Sequence, residues 1–97
     1  MTIHNQPDFA HRLQKVLARY SKTLPLDYVM GCVSAIREIL DFEEAEDFVV
    51  NAESYEEIAK HLDAMTDASV GSVTEGYKQV RDLVRKYAKK LEEASSK

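Results

Sequence analysis

The sequence predicts an all-α fold, a compact antiparallel bundle of four to five helices in a single domain. Apolar residues recur at three- and four-residue spacing along most of the chain, which is the mark of helices with one buried face. Only three Gly and two Pro occur in 97 residues, so helices joined by short turns fit better than long loops. At this length one domain with one modest core is expected. A hydrophobic content of 44% with 31% charged residues is that of a folded globule rather than a disordered chain.

The first helix is expected over about 7–22, started by Pro7 in its first turn or by Asp8 as a cap. Phe9, Leu13, Val16, Leu17 and Tyr20 fall on one face of it. A break follows over 23–27. Pro25 disfavours helix at Leu24, and Asp27 can accept from the free N–H groups of the next helix. The second helix is expected over 28–40, with a wide apolar stripe that marks it as the most buried element. Gly31 costs that helix about 1 kcal/mol relative to Ala. A close helix crossing at Gly31 and Ala35 would offset the cost.

Residues 42–52 are ambiguous. Phe48, Val49 and Val50 suit a short strand, whereas Ala45, Phe48, Val49 and Ala52 suit one face of a short helix. A helix is favoured, because a lone strand has no partner elsewhere in the chain. Ser54 and Glu57 have the spacing of a capping box, which starts a third helix over 55–66 with Ile58, Ala59, Leu62 and Met65 inward. After a turn over 67–71, Ser72 and Glu75 form a second such pair. The last helix, over 73–93, is the clearest element. Val73, Tyr77, Val80, Val84, Tyr87 and Leu91 follow a heptad seam, and Leu83 and Ala88 widen it toward globular packing. The second and last helices should form most of the core. Residues 1–6 and 94–97 are expected to be flexible ends.

Charge is distributed unevenly. Residues 41–67 hold ten Asp or Glu and one Lys, a net of −9, within a chain whose total is −4. Residues 1–40 carry +2 and residues 70–97 carry +3. A concentrated field of this kind attracts cations or basic partners and repels nucleic acid. Three readings of the block follow: a solvated surface, a dock for a basic protein or a second copy of this chain, or an imitation of nucleic-acid phosphates. The densest part is Glu43, Glu44, Glu46 and Asp47, with Phe42, Phe48 and Tyr55 beside it as candidate interface anchors.

The chemical motifs are weak. Gly71 and Gly76 are spaced as in a phosphate loop, but Tyr77 stands where that motif needs Lys, and no strand precedes. These glycines are expected to make a turn and soften the last helix's start. Asp8, His11, Glu57 and His61 have carboxylate–histidine spacing on two helices, yet apolar residues hold the inner positions, so surface solvation is expected and no metal. Cys32, the single cysteine, lies in an apolar stripe and is expected to be a small buried hydrophobe. A lone cysteine and a start without a basic, apolar leader suit a reducing cytoplasm. No stretch is long and apolar enough to span a membrane. No cofactor is implied.

These features point to a small acidic, non-enzymatic protein–protein interaction module. It would regulate, inhibit or scaffold a partner with a basic surface through residues 42–57. The alternative is a nucleic-acid-associated protein using the basic face of the last helix, Lys78, Arg81, Arg85, Lys86 and Lys89, or an acidic mimic that blocks a nucleic-acid-binding protein.

Overall fold

The helical periodicity is realised as four helices within residues 7–95, the part of the chain described by a computed structural model. They are α1 (Phe9–Tyr20), α2 (Leu26–Glu43), α3 (Ala52–Ala68) and α4 (Ser72–Ser95). No strand occurs among the described residues. No helix among them is long and apolar enough to cross a membrane. The expected loose ends fall differently: residues 94 and 95 belong to α4, while 1–6 and 96–97 lie outside the described residues.

Three helix starts differ from the sequence expectation, each for a local reason. Extended Pro25 precedes α2, and its carbonyl accepts the Val29 N–H at 3.0 Å. Asp27 therefore sits in the first turn, where its charge suits the helix dipole, rather than at the cap. The cap of α3 is Asn51, not Ser54. The Asn51 side-chain oxygen accepts the Ser54 N–H at 2.8 Å, so the helix begins one turn early. Gly71, at φ 67°, turns the chain into α4, and Ser72 is already helical instead of capping. The short helix favoured over 42–52 does not form. Phe42 and Glu43 extend α2, residues 44–51 are irregular, and Ala52 opens α3.

Glu43 at the end of α2 meets the start of α1, His61 of α3 meets Glu38 of α2, and Arg85 of α4 meets Glu56 of α3. The close packing is of α4 against both α2 and α3, with α1 resting on α2. Where α2 crosses α4, backbone meets backbone. A Cβ on Gly31 would collide with the Val73 carbonyl, and one on Gly76 would collide with the Tyr28 carbonyl and lie 2.7 Å from the Cys32 nitrogen. The crossing at Gly31 is as expected. Gly76 is a correction, because it serves this contact rather than loosening a helix start.

The core also differs from expectation in its centre. The largest fully buried side chains are Tyr55, Ile58 and Leu62 of α3, with Ile39 of α2 and Val84 of α4, so α3 contributes as much as α2 or α4. Cys32 is buried as expected, and burial pushes its thiol pKa up, which favours the protonated form. In α1 the predicted apolar face is only half covered. Phe9 is buried and Leu13 and Leu17 pack partly on the core, but Val16 and Tyr20 are exposed.

Candidate functional site

The acidic segment begins where α2 ends. Glu43, the last residue of α2, turns inward and is only 6% exposed. Its carboxylate accepts the backbone N–H groups of Phe9 at 3.2 Å and Ala10 at 3.1 Å, and also the Tyr55 hydroxyl. It thereby satisfies two free N–H groups at the start of α1, which no side chain of α1's own cap serves. Tyr55 is fully buried and sits edge-on to Phe9, Phe48 and Tyr87. Burial first, and the Glu43 carboxylate second, hold its phenol far above the ordinary range. Glu43 and Tyr55 are thus interior anchors and cannot form part of a docking surface.

Phe42 and Phe48 are half-buried. Phe42 packs edge-on against His61, and Phe48 against Tyr55. Both rings fasten the segment to the core, as does Val50. Between them the turn is closed by backbone hydrogen bonds from Glu44 to Leu40, Ala45 to Phe42 and Phe48 to Ala45. Glu44, Glu46 and Asp47 remain exposed, with no ion pair or side-chain hydrogen bond to the described residues. Val49, which a short helix would have set on one face with Ala45, Phe48 and Ala52, is 58% exposed beside them. No helix forms there, and in extended chain the side chains of Phe48, Val49 and Val50 alternate between inside and outside.

The basic face of α4 is partly consumed. Asp63 of α3 accepts from Arg85 Nη2 at 2.6 Å and from Arg81 Nη1 at 3.1 Å. Arg85 also lies 3.9 Å from Glu56, and Arg81 pairs with Asp82 at 3.0 Å. Lys78 pairs with Glu75 at 3.7 Å. Lys86 and Lys89 alone of the five candidate cations face solvent with no acidic partner among the described residues. Asp8, His11, Glu57 and His61 are not brought together either. Asp8 pairs with Arg12, Glu57 with Lys60, and His61 with Glu38.

The Arg85 hydrogen bond holds the Asp63 carboxyl below the usual carboxylate range. The unfolded chain therefore binds the Asp63 proton more readily, and the pair's stabilisation is present above the ordinary carboxylate pKa. It is lost as pH falls through the depressed folded value. Asp63→Asn is expected to flatten the acid limb of thermal stability at and below the ordinary carboxylate range. At neutral pH it should cost no more than about 1 kcal/mol, since both partners reach solvent. Melting curves across that range check it.

Compared with known protein families, curated proteins and solved structures, the chain matches none of them.

Proposed function

We propose that this protein is a non-enzymatic interaction module that regulates, inhibits or scaffolds a partner with a basic surface, the contact being the exposed edge of the acidic segment. One observation carries the reading. Three carboxylates with no partner among the described residues, Glu44, Glu46 and Asp47, precede exposed Val49 on a connection held to the core by Phe42, Phe48 and Val50. Such a segment presents charge and one apolar contact from a rigid base, so little ordering is needed on binding. The contact set is smaller than the sequence suggested, because Glu43 and Tyr55 are interior.

The test follows from that trimming. Joint reversal of Glu44, Glu46 and Asp47 to Lys leaves Glu43 in place and should leave helicity unchanged. It is expected to abolish salt-sensitive capture of basic proteins by the immobilised chain. Equal capture by the wild type and the triple variant would overturn the reading. Reversing Glu43 as well would spoil the experiment by unseating α1.

A further inference from the structure

We propose that a second surface, the groove between α1 and α4, takes an amphipathic helix of a partner protein whose apolar stripe is flanked by Asp or Glu. This surface is separate from the acidic segment, opposite to it in charge, and does not rest on it.

The shape comes from how α1 is held. Its first turn is clamped to α4, where the Phe9 and Tyr87 rings stack at 4.4 Å and the Arg12 guanidinium lies 5.2 Å from the Tyr87 ring centre. Beyond that turn α1 rests on α2 and makes no close backbone approach to α4. The two helices leave a groove of about 300 Å³, at the lower end of the range for ligand pockets. Leu13, Val16 and Tyr20 form one wall, Leu83 the other, and Tyr28 and Ile36 the floor. Val16 is 51% exposed and Tyr20 55%, so the helix face that should be buried lies open. Wall residues at i, i+3 and i+7 extend for two helical turns, which matches a helix laid lengthwise into the groove.

The charge of the walls selects the occupant. Although the chain is acidic overall, α1 contains Arg12, Lys15 and Arg19 and no Asp or Glu. Arg12 precedes Val16 by four residues and Arg19 follows it by three, so both lie on the same side of Val16; Arg12 is paired with Asp8 at 3.3 Å, whereas Arg19 has no acidic partner among the described residues. On α4, Lys86 follows Leu83 by three and stands on the other rim. The nearest acids on α4, Glu75 and Asp82, are tied to Lys78 and Arg81. Apolar walls with cationic rims fit an apolar stripe with carboxylate flanks. A flat anionic membrane fits less well, because these apolar side chains line a concavity instead of standing on a convex face. Nor does the chain's own acidic helix supply the stripe, since Tyr55, Ile58 and Leu62 of α3 are fully buried in its core.

The experiment uses two synthetic helical peptides with one leucine seam, the first flanked by Glu and its twin by Lys. Binding is read by fluorescence anisotropy and by backbone amide shifts of the protein. The Glu peptide is expected to bind at least about tenfold more tightly than the twin, with the difference shrinking as salt is raised. Amide shifts should cluster at residues 13–20 and 79–87. Val16→Asp and Arg19→Glu, both at exposed positions, should each weaken the Glu peptide about tenfold with unchanged helicity. Equal affinity for the two peptides would overturn the proposal. So would shifts confined to residues 44–51, tighter binding to phosphatidylglycerol vesicles than to the Glu peptide, or a dimer of the free protein that Val16→Asp dissolves.

Discussion

Replacing Glu43 by Ala is expected to lower the unfolding free energy by about 4 kcal/mol or more, because three donors lose a charged acceptor inside the protein. The donors are the N–H groups of Phe9 and Ala10 and the Tyr55 hydroxyl. A domain of this size has roughly 5–15 kcal/mol to lose, so the variant should sit near its folding threshold. Glu43→Gln is no rescue. Both carboxylate oxygens accept a backbone N–H, so an amide must turn its NH₂ toward one of them, leaving that donor unsatisfied at about 1–3 kcal/mol. Tyr55→Phe keeps the ring contacts and removes one hydrogen bond, for about 1.5–2 kcal/mol. Glu44→Ala, one residue away and exposed, should change stability by no more than about 0.5 kcal/mol. Urea unfolding followed by circular dichroism gives all four values. Equal costs for Glu43→Ala and Glu44→Ala would show that the buried carboxylate is not the anchor.

The same change has a local signature. The carboxylate acts at the first turn of α1, and α1 otherwise rests on α2 through a half-covered face. Hydrogen exchange in Glu43→Ala should therefore rise first in α1, while α3 and α4 stay protected. Because α1 is one wall of the basic-rimmed groove, peptide binding there should fail before the remaining helices melt. The most buried acidic residue of the segment thus supports a wall of the basic-rimmed groove.

The sequence made the helices legible wherever spacing decided them. The seam from Val73 to Leu91 in α4 is buried or half-buried at every position. Starts were less legible, because two local signals one turn apart compete. Asn51 and Ser54 can each cap α3, and the choice falls to Asn51 only when Phe48 and Val50 are drawn onto the core. The site was least legible, since its key relations are non-local. Glu43 reads as one more charge in an acidic run until its partners at Phe9 and Ala10, more than thirty residues earlier, are placed beside it. Asp63, Arg81 and Arg85 likewise look like solvated charges until α3 lies along α4. The open side of α1 had no sequence signal, because an apolar stripe says that a face wants cover and not whether a neighbour supplies it.

Gly76→Ala is expected to destabilise the fold by about 2–4 kcal/mol, although Ala is the better helix former by about 1 kcal/mol. The added Cβ would meet main-chain atoms, the Tyr28 carbonyl and the Cys32 nitrogen, and these cannot rotate away as a side-chain end can. Relief requires α2 and α4 to move apart, which loosens the packing of Ile36 and Val80 below the crossing. Gly31→Ala should cost a similar amount, since its Cβ would strike the Val73 carbonyl. Gly71→Ala has open space around it and suffers only from its φ of 67°, so its cost should be about 1 kcal/mol. The double variant Gly31→Ala/Gly76→Ala separates a crossing from two unrelated defects. One widening of the crossing accommodates both methyl groups, so the double cost should fall short of the sum by at least about 1 kcal/mol. Strict additivity in chemical denaturation would mean that the two glycines do not share one contact. A gain in stability from either single change would mean that helix propensity outweighs the approach of the two backbones.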